Sequence, residues 1–308
     1  GEALIDMVPE NGAYRPLAGG SVYNTAVALG RLAEPVAYLW PISRDAFGDV
    51  LLRPLTEAGV NLDLCPRSDR QTTLAVVTLT GGEARYSFYD EGSAGRMLAP
   101  EEIPALPDTI RAIFAGGISL VPDPCGAAIE TLIDRNHARL PVMLDPNIRP
   151  FFIDDADAYR ARLNRMLAQA DIVKLSADDL EWLHPGLALA DAARQVLSLG
   201  PRIVLQTGGA AGAHAHWSGE TISAPSIRTA VADTIGAGDT FNAGVLASLN
   251  LQGVLSKQGL AQITSEQIRK ALTLGAQAAA ITVSRPGANP PWAHEMPGVA
   301  GISASTAG

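Results

Sequence analysis

Short apolar runs alternate with stretches of helical periodicity along most of the chain. Apolar runs of about four to five residues are typical of buried strands, and apolar positions three and four apart are typical of amphipathic helices. Strands are predicted at residues 1–6, 35–39, 110–114, 142–145, 172–175, 203–206, 213–217 and 221–224. Helices are predicted at residues 26–32, 48–58, 125–136, 158–169, 189–199, 240–251 and 265–282. This alternation predicts a mostly parallel sheet that helices cover on both faces.

One further pair of predicted strands does not fit that sheet. Residues 72–79 and 84–89 are joined at Gly81-Gly82, which is a typical hairpin signal. We interpret this pair as a small β lid attached to the α/β body. The tail after Pro297 is rich in Gly, Ala and Ser and is predicted to be loose.

Composition narrows the class of protein. The chain has 308 residues, of which 47% are hydrophobic and 18% charged, so it can bury a sizeable core. The net charge of −9 and the absence of a Lys/Arg cluster argue against a general nucleic-acid binder. No apolar run approaches the ~18–20 residues needed to span a bilayer, and no signal peptide is visible. Two distant cysteines exclude a disulfide scaffold and fit a reducing, cytoplasmic setting.

The strongest chemical signal is a glycine-rich turn that leads directly into a predicted helix. Its sequence is Asp-Thr-Ile-Gly-Ala-Gly-Asp-Thr-Phe, from Asp233 to Phe241. Backbone amides at a helix N-terminus form an anion site, and glycine lets the backbone approach a phosphate closely. Asp239 lies where this helix begins. It is either an ordinary N-cap or a carboxylate beside an anion hole, where it could take a proton from an attacking hydroxyl.

Other polar residues stand at the ends of apolar strands. Asp6, Asp145 and Lys174 each lie at or near the carboxyl end of a predicted strand. Ligands of open α/β sheets bind outside the carboxyl ends of the strands. Near the start of the chain, Gly19-Gly20 forms either a simple turn or a hinge, and Asn24 either caps a helix or binds a substrate hydroxyl.

Several familiar sites are absent from the sequence. It contains no GxxxxGK[ST] motif, no GxGxxG opening a helix, and no GxSxG. His214 and His216 alternate on a predicted strand, but no third ligand for a metal accompanies them.

Taken together, the motifs resemble the ribokinase-like (PfkB) family of carbohydrate kinases over nearly the whole chain. The first motif is Gly19-Gly20 with Asn24 and Ala26, and the second runs from Asp233 to Phe241. Residues 1–6, 85–89 and 145–149 look most like bacterial fructokinases. The resemblance implies a three-layer αβα sandwich with a mostly parallel central sheet and a small β-sheet lid. It also implies one kinase domain over residues 1–308, with a discontinuous lid near residues 11–20 and 70–95.

The resemblance implies that ATP donates its γ-phosphate to a primary hydroxyl of a small sugar, in the leading case converting fructose to fructose 6-phosphate. Asp239 would be the catalytic base, and the amides of Gly236, Ala237 and Gly238 the anion hole. The residues implied to bind the sugar are Asp6, Gly19, Gly20, Asn24, Phe88, Tyr89, Arg149 and Asp239. Those implied to bind ATP are Lys174, Thr207, Gly209, Gly212, Gly238, Ala276 and Ala280. Those implied to hold ions are Asp179, through water on Mg²⁺, and Asp233 with the carbonyls of Ile235, Arg285 and Gly287 for a monovalent cation such as K⁺.

Two positions depart from the family pattern. Ser176 and Asp179 stand where the family often has Asn-x-x-Glu near Mg²⁺ and the phosphates. Asp90 stands where related sugar and sugar-acid kinases often have arginine, which would hold a substrate carboxylate. Asp90 therefore argues against a sugar-acid substrate, unless Arg85, Arg96 or Arg149 compensates.

The sequence leaves alternatives to fructose phosphorylation open. The chain could be a 2-keto-3-deoxygluconate kinase, or a ribokinase or nucleoside kinase, because these differ by a few contacts in the pocket and lid. It could also be a sugar- or nucleotide-binding regulator that has lost catalysis, or a scaffold, since fold does not determine function. Exposed edges of the small lid further predict a homodimer formed through the lid.

Overall fold

The computed structural model describes residues 1–80 and 83–296, so the predicted turn at Gly81-Gly82 and the predicted loose tail after Pro297 lie outside the described residues. The strands are β1 Leu4–Glu10, β2 Ala13–Gly19, β3 Ile42–Ser43, β4 Arg67–Ser68, β5 Leu74–Thr80, β6 Glu83–Tyr89, β7 Ile113–Gly116, β8 Val142–Asp145, β9 Ile172–Ser176, β10 Ile203–Thr207, β11 Ala213–Trp217 and β12 Glu220–Ala224. The helices are α1 Ser21–Arg31, α2 Ala46–Glu57, α3 Cys125–Asn136, α4 Ala156–Gln169, α5 Ala177–Leu183, α6 Leu189–Ser198, α7 Ala237–Leu251, α8 Lys257–Ala261 and α9 Ser265–Val283. No helix within these residues is long and apolar enough to cross a membrane.

The body is built on a six-stranded sheet in the order β12-β11-β10-β9-β8-β7. Strands β7 to β10 run parallel, and β11 and β12 extend the sheet as an antiparallel hairpin. Neighbouring residues of a strand enter different cores: Leu144 packs in one cluster with residues of α3 to α6, and Met143 in another with residues of α7 and α9. Both faces of the sheet are therefore covered by helices, as the apolar runs predicted.

A smaller sheet forms the lid, in the order β2-β1-β5-β6. Strand β1 pairs antiparallel with β2 and parallel with β5. Strand β1 therefore begins later than the strand predicted at residues 1–6 and is longer. Its residues, from Leu4 to Glu10, find their hydrogen-bonding partners in the small sheet. The lid contains β1 in addition to the two segments that the sequence assigned to it.

Other boundaries also differ from the predictions. Residues 35–39 form only a single bridge, from Ala37 to Asn61. The segment does not join the large sheet, and it lines a cavity of about 240 Å³ together with residues of β7. Strand β7 begins at Ile113 rather than at residue 110, and α1 begins at Ser21 rather than at residue 26.

Candidate active site

The glycine-rich turn leads into α7, whose first turn packs beside α1. Gly236 caps α7 with a left-handed φ of 76°, and a Cβ there would lie 2.8 Å from the Cβ of Ala288. Only glycine fits this combination of conformation and close packing. The amide of Ala237 donates to Thr234 O at 3.3 Å. The amide of Gly238 lies before the first hydrogen bond within the helix, which runs from Thr240 N to Gly236 O. The turn therefore presents amide donors and the positive end of a helix dipole to one point.

Asp239 is held at that point by α1. Asn24 Nδ2 donates to Asp239 Oδ2 at 2.9 Å, and Thr25 Oγ1 donates to the main-chain oxygen of Asp239 at 3.2 Å. Burial raises the pKa of Asp239 to about 7, although the hydrogen bond from Asn24 works in the opposite direction. A carboxyl group with this pKa can accept a proton and release it again near neutral pH.

Beside Asp239 lies a buried polar cluster. Lys174 Nζ is 3.1 Å from Asp145 Oδ2, and Asn242 Nδ2 donates to the same oxygen at 2.7 Å. Burial alone would lower the pKa of Lys174, but the carboxylates of Asp145 and Asp179 outweigh it and raise the pKa, so the ammonium stays charged. A Cβ at Gly238 would lie 3.2 Å from Lys174 Nζ. The cluster thus adds a fixed positive charge next to the first turn of α7.

The resemblance implied that Asp179 acts on Mg²⁺ through water, and the structure shows which groups its side chain contacts. Its Oδ1 accepts from Ile148 N at 2.7 Å, and its Oδ2 accepts from Ser176 N at 2.7 Å and Ser176 Oγ at 2.6 Å. The side chain is buried and serves as a capping box for α5, which braces the loop after β8. Ser176, which replaces the family's usual asparagine, supplies one half of this box. No group of three His, Cys, Asp or Glu side chains in the described residues could hold a metal ion.

Asp233 joins the two segments that were implied to hold a monovalent cation. Its Oδ1 accepts from Ile235 N at 3.0 Å, and its Oδ2 accepts from Gly287 N at 2.9 Å. The Arg285 side chain pairs with Glu295, whereas the ligand that the resemblance implied is the main-chain oxygen of Arg285. The structure therefore brings Asp233, Ile235 and Gly287 together, and the carboxylate of Asp233 already binds two amides.

The lid contributes Asp6, which lies in the middle of β1. In register, Asp6 is opposite Ala75 of β5, and Ala75 is opposite Phe88 of β6. Register-paired side chains share a face of the sheet, so Asp6 and Phe88 point to the same side. Gly19 lies on this face as well, and a Cβ there would collide with Asp6 Oδ2. Burial raises the pKa of Asp6 to about 6.

Tyr89 and Arg149 do not join this face. Tyr89 is opposite Leu74 and lies on the other side of the sheet, where its side chain is 65% exposed. The prediction that both Phe88 and Tyr89 close over one ligand is wrong, because consecutive strand residues alternate between the two faces. Arg149 is exposed and donates to Asn147 Oδ1 at 2.8 Å within its own loop.

Aromatic side chains connect the lid to the body. Phe88 packs edge-on against Phe152 with 5.0 Å between ring centroids, and Tyr86 stacks on Phe151 at 6.2 Å. Phe151 and Phe152 follow β8, the strand that carries Asp145. Lid and body therefore approach each other beside the buried polar cluster.

On the opposite side of α7, the residues implied to bind a nucleotide lie at one end of the sheet. Thr207 ends β10, and Gly209 and Gly212 form the turn that leads into β11. A Cβ at Gly212 would lie 2.5 Å from Ala224 O of β12. Ala276 and Ala280 are half-buried one turn apart on α9, which packs against β11, β12 and α7. Because α9 packs against β11 and β12 as well as α7, the helix that carries Ala276 and Ala280 adjoins both the hairpin after Gly212 and the helix after the glycine-rich turn.

Two residues of the site were missed in the sequence. Glu2 is buried at the start of α1, where its Oε1 accepts from Ser21 N at 2.9 Å and Ser21 Oγ at 2.6 Å. The sequence around Glu2 gives no sign that α1, which is distant in the sequence, will begin next to its carboxylate. Asn242 could have been found, because it follows Asp239 by one helical turn and so shares its face of α7.

Comparison with known proteins agrees with this geometry. A family model described as pfkB family carbohydrate kinase matches residues 4–295. A fructokinase of Rhizobium leguminosarum bv. trifolii is 43% identical over 279 residues, which cover 87% of this chain and 84% of the relative. Fructokinase-2 of Oryza sativa subsp. japonica is 31% identical, with 94% of this chain and 88% of the relative covered.

Solved structures resemble the whole fold. A crystal structure of a fructokinase with bound ATP from Xylella fastidiosa has a TM-score of 0.85 to this chain at 30% identity, covering 94% of this chain and 92% of the other. These similarities confirm the predicted family resemblance and the predicted fold class.

Proposed function

The chain belongs to the pfkB family of carbohydrate kinases, and we propose that it transfers the γ-phosphate of ATP to a primary hydroxyl of fructose. The observation that carries the proposal is the hydrogen bond from Asn24 to Asp239. It joins the motif near the start of the chain to the glycine-rich turn near its end. A buried base therefore faces an anion-binding helix terminus, which is the arrangement that phosphoryl transfer requires.

In the proposed reaction, Asp239 Oδ accepts the proton of the primary hydroxyl. The hydroxyl oxygen forms a bond to the γ-phosphorus of ATP, the bond from that phosphorus to the bridging oxygen breaks, and ADP leaves. The amides of the first turn of α7 and the ammonium of Lys174 stabilise the charge on the transferred group. Because the Asp239 pKa lies near 7, most of the enzyme carries the free carboxylate in mildly alkaline solution.

We propose that the sugar lies between the lid and α1. Asp6 offers carboxylate oxygens from the lid, Asn24 offers its remaining amide hydrogen-bonding capacity from α1, and Phe88 covers the ring from the same face as Asp6. The choice of fructose rests on the relatives, since both relatives described above are named fructokinases.

The nucleotide is proposed to lie beyond α7. Thr207, Gly209 and Gly212 would follow its phosphates and ribose, and Ala276 and Ala280 would contact the adenine. We propose Mg²⁺ as the ion that accompanies ATP and K⁺ as a cation near Asp233. Asp179 would act on this Mg²⁺ through water, since its Oδ1 accepts one hydrogen bond, from Ile148 N, and can accept another.

We further propose a cytoplasmic enzyme that dimerises through the lid. The first four residues of β2 are exposed, and both β2 and β6 are edge strands of the small sheet. Unpaired strand edges favour pairing with a second copy. Light scattering at micromolar concentration tests this: a mass twice that of the chain supports the dimer, and a monodisperse monomer contradicts it.

A coupled assay of ADP release tests the proposed function. ATP and Mg²⁺ are supplied with fructose, ribose, adenosine or 2-keto-3-deoxygluconate, with and without K⁺. We expect turnover on fructose to exceed that on every other acceptor. If turnover is faster on another acceptor, that acceptor replaces fructose as the proposed substrate. ATP binding without turnover on any acceptor would favour a regulator that has lost catalysis.

A further inference from the structure

An ion pair lies at the junction of lid and body, apart from the catalytic cluster. Asp90 follows β6 directly, and its Oδ2 is 3.1 Å from Arg96 Nη1. Its Oδ1 accepts from Thr73 Oγ1 at 2.8 Å and Ser93 Oγ at 3.0 Å. The Asp90 side chain is 12% exposed and that of Arg96 29% exposed, so bulk water screens this pair less than the exposed pairs of the surface.

The pair belongs to the wall of a pocket that adjoins the proposed sugar site. Asp90 and Arg96 line this pocket with Glu2, Ser119, Thr73 and Phe152. Glu2 holds the first residue of α1, the helix that carries Asn24, and Phe152 contacts Phe88 of the lid. A ligand between Asp6 and Asn24 would therefore have this pocket as its neighbour.

The charges of the pocket are unbalanced. Two carboxylates, on Glu2 and Asp90, face one guanidinium, on Arg96. Arg96 is also fixed in place, because its Nε donates to Asp123 O at 3.0 Å while Nη1 faces Asp90. A carboxylate on the substrate would have to displace Asp90 or approach two negative charges.

We propose that Asp90 selects uncharged sugars by holding Arg96 in an ion pair, and that removal of the Asp90 charge lets Arg96 bind the carboxylate of a sugar acid. The inference rests on the proposed function for the position of the sugar. Asp90 is thus a specificity-determining residue that acts through Arg96, without touching the reacting atoms.

The test compares a neutral and an acidic acceptor in the same assay. Asp90→Asn removes the charge and keeps an oxygen that accepts from Thr73 and Ser93, so the junction remains hydrogen-bonded. We expect kcat/KM for 2-keto-3-deoxygluconate, relative to that for fructose, to rise about tenfold or more, as expected for a new hydrogen-bonded ion pair. Asp49→Asn, which removes an exposed partner of Arg67, is the matched control and should leave the ratio unchanged.

A double variant shows whether Arg96 is responsible. Asp90→Asn combined with Arg96→Gln should return the ratio to within about twofold of the parent, since no guanidinium then remains to receive the acid. A ratio that is unchanged in Asp90→Asn, or that stays raised in the double variant, overturns the proposal.

A binding measurement separates this proposal from the proposed function. Calorimetry without ATP measures the Kd of 2-keto-3-deoxygluconate for the parent and for Asp90→Asn. Tighter binding by the variant supports the role of Asp90 even if the parent does not phosphorylate fructose, whereas equal Kd values contradict it even if fructose is the substrate.

Discussion

The two sides of the proposed active site are built differently. On the body side, Asp239, Asp145 and Lys174 are all buried, and each has at least one side-chain partner on another element. On the lid side, Asp6 is only partly buried in a four-stranded sheet, and Phe88 gains its contacts from aromatic residues of the body. The polar groups of the body are held by one another, whereas Phe88 of the lid is held by contacts with aromatic rings.

This difference suggests a division of labour. Groups that stabilise charge during reaction are most effective when they are preorganised on rigid elements. Groups that recognise a substrate can lie on a smaller element that moves over it. We therefore expect substitutions on the body side to act mainly on kcat, and substitutions on the lid side to act mainly on KM.

The largest effect is expected for Asp239→Asn. The amide keeps the size of the side chain and a hydrogen bond with Asn24, but it cannot accept the proton. We expect kcat to fall by about 10²–10⁴-fold, while the KM for the sugar changes little. Steady-state kinetics with a melting curve as the folding control would check this, and a variant that retains most of its kcat would remove Asp239 from the reaction.

Gly238→Ala should have the next largest effect. The new Cβ would lie 3.2 Å from Lys174 Nζ, in the space between the helix terminus and the ammonium. We expect kcat/KM for ATP to fall about 10- to 100-fold, because the transferred phosphate loses room beside its donors. The preference of a helix for alanine over glycine, about 1 kcal/mol, offsets part of the cost of this tight contact, and a melting curve is the folding control. Unchanged ATP kinetics would show that the phosphate lies elsewhere.

A smaller effect is expected on the lid, where two neighbouring residues form a natural pair of variants. Phe88→Leu removes ring contacts worth about 0.5–1.5 kcal/mol on the face of Asp6, so KM for the sugar should rise about three- to tenfold. Tyr89→Leu changes the opposite face and should leave KM nearly unaltered. Equal effects of the two substitutions would contradict the assignment of faces.

The smallest effect concerns pH. Asp239 acts as a base only when ionised, so with a pKa of about 7 the rate should fall roughly tenfold per pH unit well below neutrality. Asn24 lowers this pKa through its hydrogen bond, so Asn24→Ala should move the acid limb of kcat/KM to higher pH. Asn250→Ala, at the far end of α7 from Asp239, is the control and should leave the acid limb in place. A limb that does not move would mean that another group controls it.

The sequence predicted the body better than the lid. The apolar runs of β8, β9 and β10 were found almost to the residue, because strands buried on both faces need no information about their partners. The position of the glycine-rich turn could also be predicted from its sequence motif, since the conformation of Gly236 and the start of α7 are local properties.

Errors arose where a residue depends on distant partners. Strand β1 was placed too early, because whether a chain segment enters one sheet or another is decided by which strand edge is nearby. The burial of Glu2 depends in the same way on Ser21 and α1. Tyr89 is different, since the alternation of strand residues alone could have placed it on the other face.

Strand β1 would act as a lever if the lid turned about the buried end of this strand. Its first residues, Leu4 and Ile5, are buried in the molecule, and its last, Glu10, is exposed at the tip of the lid. With Ile5 as the fulcrum and a rise of about 3.3 Å per residue, Asp6 lies about 3 Å along the lever and Glu10 about 17 Å. A tip excursion of about 5 Å therefore displaces Asp6 by only about 1 Å. If the lid opened by turning about this buried end, the carboxylate of Asp6 would stay almost in place while the tip moved.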